Sequence, residues 1–293
     1  MKVRFGMALG PLRPTDDVDA LLGTLESRGV DSLWLSEVVH GPLPDPMVGM
    51  GYVVGATRRL KVGTGVTILP GRHPVLVAKE LASLARLAPK RILPVFGLHP
   101  ARAEERQHFA VGGPRAEVFD EALGLVRRLL SEPRVSAEGR YFTVADASVG
   151  FLPDPPLDLW LGGRVPAALQ RIGRLADGWL ASFLTPSEAA EGIAVINDAA
   201  AAAGRAVDPE HHGVSLAVAF GDIPPAIVDA VRARRPGLDP AELVPVGWDG
   251  LERAVKEFID AGVSKFVIRP ASPPPTWHGF AAELAERVIP WQT

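Results

Sequence analysis

Apolar residues along this 293-residue chain gather in short runs, separated by longer stretches in which they recur every three or four positions. The runs are Val3 to Leu9, Ser32 to Ser36, Val62 to Leu69, Ile92 to Leu98, Leu157 to Leu161, Gly178 to Phe183, Val214 to Phe220 and Lys265 to Arg269, eight in all. Their length and β-branched content predict buried strands. Between the first two, Val18, Leu21, Leu22 and Leu25 form one apolar face over Thr15 to Arg28, and Gly29 stops the helix. The same period predicts helices over His73 to Leu87, Arg115 to Leu130, Pro166 to Leu175, Pro186 to Ala203, Leu251 to Ala261 and Trp277 to Val288. Strands that alternate with helices pair in parallel through right-handed crossovers, and eight such units close a barrel. The expected fold is an α/β (β/α)8 TIM barrel with insertions, a single domain over residues 1–293. Ser131 to Pro156, Asp208 to His212 and Pro224 to Val246 exceed a minimal barrel and are expected to be insertions.

One run departs from its own pattern. KVGTGVTILP, residues 61 to 70, reads as a buried strand but carries Gly63 and Gly65. Glycine inside a strand gives up packing and backbone entropy, so it marks a bulge or a close approach by a ligand or another backbone.

Chemistry in a barrel of this kind sits at the carboxyl ends of the strands. The residues there are Gly10 and Pro11; Glu37 and His40; Thr67, Arg72 and His73; His99; Gly162, Gly163 and Arg164; Phe183; and Arg269 with Ser272. Lys61, Lys90 and Lys265 stand at the amino ends instead, which argues against Schiff-base chemistry. His211 and His212 fall in an expected insertion and no histidine pair marks a strand end, so no metal site is expected. Gly162 and Gly163 precede a helix, an arrangement that either presents N–H groups to an anion or merely turns the chain. Glu37 either orients a cofactor, handles a proton or is a solvated acid at a loop start. His40 and His99 are candidates for catalysis, substrate contact or structure, and Arg72 and Arg269 for gripping an acidic group or pairing with surface acids.

Composition narrows the partners. With 47% hydrophobic and 22% charged residues and a net charge of -3, the chain is an ordinary globular protein with no electrostatic reason to bind nucleic acid or an anionic membrane. It lacks cysteine, begins without a signal peptide and has no apolar run of about 18 residues, so a cytoplasmic location and a small-molecule substrate are expected.

Four segments together resemble the bacterial luciferase-like monooxygenase superfamily, in particular its branch that uses the deazaflavin coenzyme F420. They are GVDSLWLSE at 29 to 37, KVGTGVTILPGRHPVLVAKELASL at 61 to 84, the Arg115, Phe119, Asp120, Glu121 pattern, and LWLGG followed by ADGW within 159 to 179; the match loosens after residue 205. The resemblance implies a bulge with a non-prolyl cis peptide at Gly65 and Val66, behind the deazaflavin ring. It also implies a cofactor-binding set of Glu37, Gly65, Val66, Thr67, Gly97, Leu98, His99, Gly162, Gly163 and Arg164. Sugar-phosphate dehydrogenases of that branch carry a histidine directly after the acid and a glutamate after the fourth strand, where this chain has Val38 and Pro100; their proton chemistry is not carried over. The resemblance implies hydride transfer between F420 and an organic substrate. FMN-dependent monooxygenation and a non-catalytic flavin carrier are the alternatives. The resemblance also implies a homodimer, for which the apolar stretch Asp45 to Tyr52 with Thr57 offers a surface, although core packing explains that stretch equally well.

Overall fold

The computed structural model describes all 293 residues. It alternates as the apolar pattern predicts. Strands β1 (Arg4–Ala8) and β2 (Ser32–Leu35) flank helix α1 (Val18–Ser27), and α2 (Pro46–Ala56) leads to β3 (Lys61–Thr64) and β4 (Thr67–Ile68). Then follow α3 (Pro74–Leu87), β5 (Ile92–Leu93), β6 (Val95–Gly97), α4 (Arg115–Ser131) and an antiparallel hairpin of β7 (Val135–Glu138) and β8 (Thr143–Ala147). The chain continues through β9 (Trp160–Gly162), α5 (Pro166–Leu175), β10 (Gly178–Ser182), α6 (Pro186–Ala202) and β11 (His212–Val218). It closes with α7 (Pro225–Arg234), α8 (Pro240–Leu243), α9 (Gly247–Asp260), β12 (Lys265–Pro270) and α10 (Trp277–Val288).

Ten strands form one parallel sheet in the order β4-β6-β9-β10-β11-β12-β1-β2-β3-β5. Because β4 continues β3, and β6 continues β5, the two ends of that order meet. The sheet is a closed barrel of eight strand positions whose third and fourth are each broken in two. At the break Thr64 replaces a rung of the ladder: its Oγ1 donates to the Val95 carbonyl and accepts from the Val95 N–H, both at 2.8 Å. The hairpin and the α7–α8 pair occupy two of the expected insertions.

Side chains alternate between two cores. Phe5, Met7, Leu33, Val62, Phe96, Leu161, Val214, Phe266 and Ile268 join the cluster of 59 buried residues between sheet and helices. Ala8, Trp34, Val95, Trp160, Leu180 and Val267 point the other way and fill the barrel interior. Two indoles in so narrow a space need room made for them. A Cβ on Gly63 would lie 2.7 Å from the Trp34 ring, one on Gly6 would lie 2.6 Å from Trp34 Nε1, and one on Gly178 would collide with Trp160. Gly63 is thus required by packing. A Cβ on Gly65 would meet only ordinary contacts, 3.7 Å to Leu180 and 3.9 Å to Trp34.

At the amino end of the barrel Asp31 pairs with Lys61 (2.7 Å) and Lys265 (3.1 Å), far from the mouth. No helix is long and apolar enough to cross a membrane. Two expectations need correction. Thr57 is no part of an exposed face: it is buried, and its hydroxyl donates to the Val53 carbonyl at 2.6 Å as α2 ends. His212 lies in no insertion but opens β11, 2% exposed, because its alternation carries the strand two residues further toward the amino end than the β-branched run suggests.

Burial, reinforced by the neighbouring His211, pushes His212 down to about 4 from the ordinary 6.5. The fold therefore holds a neutral ring that the unfolded chain protonates below about 6.5. Stability should fall as pH drops through the window from about 6.5 to about 4, by on the order of 3 kcal/mol in total. Urea midpoints measured from pH 7 to pH 4 should decline less steeply in His212→Phe than in the parent; parallel curves would assign the loss to other groups.

Candidate active site

The inner-facing residues one step above the barrel core line its mouth. Alternation places Ser36 above Trp34, Gly97 above Val95, Gly162 above Trp160, Ser182 above Leu180 and Arg269 above Val267. Val66 packs on this inner core from the break in the third strand. The Gly65–Val66 peptide is cis, at the position the resemblance implies. The segment is held from β2 on every side: Gly65 N–H donates to the Leu35 carbonyl (2.7 Å), Ser36 Oγ donates to the Gly65 carbonyl (2.9 Å), and Glu37 N–H donates to the Val66 carbonyl (3.2 Å). So fixed, the Val66 methyls lie over two glycines. A Cβ on Gly162 would sit 2.9 Å from Val66 Cγ1, and a Cβ on Gly97 would collide with Cγ2. Val66, Gly97 and Gly162, distant in sequence, together make a flat apolar ledge.

Glu37 sits behind that ledge. It is 7% exposed, and both carboxylate oxygens are engaged. Oε2 accepts the Ile68 N–H at 2.6 Å and Oε1 pairs with the Arg72 guanidinium, which also donates to the Ile68 carbonyl at 3.1 Å. The acid thus ties β4 to β2. Thr67 beside it is fully buried with a hydroxyl that has no partner, and His73 caps α3 through Val75 N–H at 3.3 Å.

After β6 the chain runs through Leu98 and an exposed His99 into a short 3-10 helix, Ala103–Phe109. Partial burial, then the cations Arg106 and Arg115, hold the His99 imidazole below its ordinary pKa. His40 reaches this helix, its Nε2 2.8 Å from His108 Nε2, while its N–H donates to the buried Glu105 at 2.9 Å. The structure therefore joins His40 to the 3-10 helix rather than to Glu37.

On the far side Gly163 adopts φ 136°, and its carbonyl accepts Trp179 Nε1–H at 2.7 Å. This turn delivers the chain to α5, whose first-turn N–H groups have no side-chain cap. Arg164 donates to the Arg234 carbonyl at 2.6 Å. The ADGW segment is scaffolding for this turn: Asp177 pairs with Arg127 (2.8 Å) and Arg205 (3.1 Å) and accepts the Leu159 N–H, and Gly178 admits Trp160. Within the Arg115, Phe119, Asp120, Glu121 pattern the last three residues are scaffolding also. Asp120 pairs with Arg171, Phe119 stacks under the same guanidinium, and Glu121 accepts the N–H groups of Arg140, Tyr141 and Phe142 to anchor the hairpin.

The α7–α8 insertion packs Val231, Leu243 and Val244 on Ala217 and Ala219 of the seventh strand position and its exit. From the end of α7, Arg234 lies 5.0 Å over the Phe183 ring and donates to the Ala101 carbonyl at 3.1 Å, beyond β6. The insertion thus spans the mouth. Arg269 and Phe183 are legible as strand exits in the sequence, whereas Arg234 is not, because nothing in the pattern of a loosely matching insertion signals which of its arginines reaches across the mouth.

Several cations around this rim, Arg102, Arg106, Arg115, Arg164, Arg234 and Arg269, have no carboxylate in ion-pair contact. Arg115 is engaged by the Leu98 and Phe109 carbonyls, Arg102 by the His40 carbonyl. Burial first, and a neighbouring guanidinium second, depress Arg115, Arg164 and Arg269. A rim built this way favours a polyanionic ligand.

Known proteins resemble the chain at three levels. The sequence model of luciferase-like monooxygenases matches residues 3–285. An F420-dependent glucose-6-phosphate dehydrogenase of Kineococcus radiotolerans is 31% identical over 166 residues, 53% of this chain and 49% of that protein. The chain spans about half the length of such curated relatives. Among solved structures, an F420-dependent secondary alcohol dehydrogenase in complex with an F420–acetone adduct superposes with a TM-score of 0.82 at 20% identity, covering 100% of both chains. The F420-dependent tetrahydromethanopterin reductase of Methanopyrus kandleri does so with 0.78 at 18% identity and the same coverage. Identities this low speak to the fold alone, and the fold is the TIM barrel.

Proposed function

Since the chain belongs to the luciferase-like monooxygenase family, we propose that it is an oxidoreductase that moves a hydride between coenzyme F420 and a small organic substrate. The observation that carries this reading is the ledge of Val66 over Gly97 and Gly162, flanked by Arg115 and Arg164, which have no carboxylate partners. A planar ring needs a flat apolar support, and an anionic tail needs cations and free N–H groups; both are present in one mouth. When bound, F420 supplies the hydride chemistry at its deazaflavin ring.

The chain's own residues do the rest. Val66 would support the deazaflavin ring from the ledge side. Gly97 and Gly162 keep the ledge level, and the backbone at Leu98 and His99 borders it. Gly163, Arg164 and the uncapped start of α5 would hold the phosphate of the tail, while Arg102, Arg106 and Arg115 would supply positive potential to its carboxylates. Glu37 acts on the ledge through Ile68 and Arg72, as a positioning residue. The α7–α8 insertion shields the mouth from water.

Fluorescence titration of the purified protein with F420 and with FMN checks the reading. F420 should bind at least about tenfold more tightly, and its affinity should weaken as ionic strength rises. Tighter binding of FMN would replace F420 by flavin, and F420 binding without turnover on a panel of enones, imines and alcohols would make the protein a carrier.

A further inference from the structure

Arg269 stands apart from the cations that line the cofactor side. On β12, Phe266 and Ile268 face the outer core and Val267 the barrel interior, so Arg269 projects into the mouth directly above Val267. Largely buried cations elsewhere in this chain have partners: Lys265 has Asp31, Arg171 has Asp120, and Arg235 has Glu188. Arg269 is partly buried and has no hydrogen bond and no ion pair; its burial first, and the nearby cation Arg234 second, push its pKa down. A cation partly withdrawn from water without a counter-charge is costly, and the field of a neighbouring cation adds to that cost. An anion bound at Arg269 relieves it, and the exposed Arg234 adds to the attraction.

The barrel order says which ligand that anion belongs to. The ledge is made by the third, fourth and fifth strand positions, centred on β5 and β6, and β12 is the eighth, four positions away in either direction. Arg269 therefore lies across the mouth from the ledge, on the side opposite the cofactor. The neighbouring position on β11 is Ala217, too short to fill the space or to offer a counter-charge.

We propose that the substrate is itself an anion, with a carboxylate or phosphate group held by Arg269 and covered by Arg234 of the α7–α8 insertion. The inference deepens the F420 reading and rests on it for the assignment of the opposite side to the cofactor. Arg269 is the anchor, through a two-pronged guanidinium contact that a lysine only partly replaces. Arg234 follows because it is already tied across the mouth at Ala101.

Inorganic phosphate and malonate, titrated calorimetrically at constant ionic strength with and without saturating F420, probe the site. One of the two should bind the parent protein in both conditions, phosphate pointing to a phosphate ester and malonate to a carboxylate. Arg269→Gln should weaken that binding at least about tenfold and Arg269→Lys less, while F420 affinity changes less than about threefold and circular dichroism stays unchanged. Absence of saturable binding by either anion, binding indifferent to Arg269→Gln, or displacement of the anion by F420 would each overturn the proposal. If F420 fails to bind while anion binding still depends on Arg269, the anion site stands and the cofactor reading falls.

Discussion

Gly97→Val should abolish tight cofactor binding in a protein that still folds. Even the first added carbon at this position collides with Val66 Cγ2 and comes within 3.4 Å of Ile68 Cδ1. Val66 cannot yield through its backbone, because the Gly65 and Val66 carbonyls and the Gly65 N–H are held by Leu35, Ser36 and Glu37. Its side chain must swing up into the mouth, where the ring is to lie. The fold absorbs such overpacking at about 1–3 kcal/mol. Binding has no such slack, and F420 affinity should fall about a hundredfold or more. Gly162→Ala, with its 2.9 Å approach to Cγ1, should follow in the same direction with a smaller loss. Removing the obstructing methyls tests the cause: Val66→Ala added to Gly97→Val should recover a substantial part of the lost affinity. If Gly97→Val binds F420 as the parent does, Val66 is not the wall of the site.

How much of this was visible in the sequence depends on the range of the interaction. The strands were legible because two buried faces impose a continuous apolar run, and the helices because one buried face imposes a 3.6-residue period; both signals are local. Gly63 and Gly65 were legible as anomalies from propensity alone, and only the family resemblance ranked Gly65 above Gly63. Gly63 answers to the Trp34 indole, which is on a different strand, whereas Gly65 faces open contact distances. Glu37 was visible as an acid at a strand exit. Its partner, Arg72, is 35 residues away and meets it only because β2 and β3 pair in parallel. The Arg115 to Glu121 pattern shows the converse: a family signature is also produced by structural bonds, here to Arg171 and to the hairpin N–H groups. The unpaired state of Arg269 had no sequence signal at all, since its missing counter-charge is a property of the neighbours on β11 and α7.

The same pairing makes Glu37 the site of the largest expected stability effect. Glu37→Ala leaves the Ile68 N–H without its 2.6 Å acceptor and Arg72 without its carboxylate, both largely out of water. Breaking a buried pair by deleting one member costs about 3–5 kcal/mol, most of it from the charge left behind. Arg72→Ala removes that stranded charge as well, so the double variant should be more stable than the two single losses predict, by about 1–3 kcal/mol of coupling. Urea unfolding of the four proteins in the cycle measures it, and additive losses would show that the two groups do not act as a pair. Glu37→Gln separates position from chemistry. The amide oxygen still accepts from Ile68, so the ledge stays in place and both F420 affinity and turnover should hold within about threefold even though stability drops. A residue that exchanged protons with the substrate would behave otherwise: Glu37→Gln would then keep the affinity and lose turnover by about a hundredfold or more.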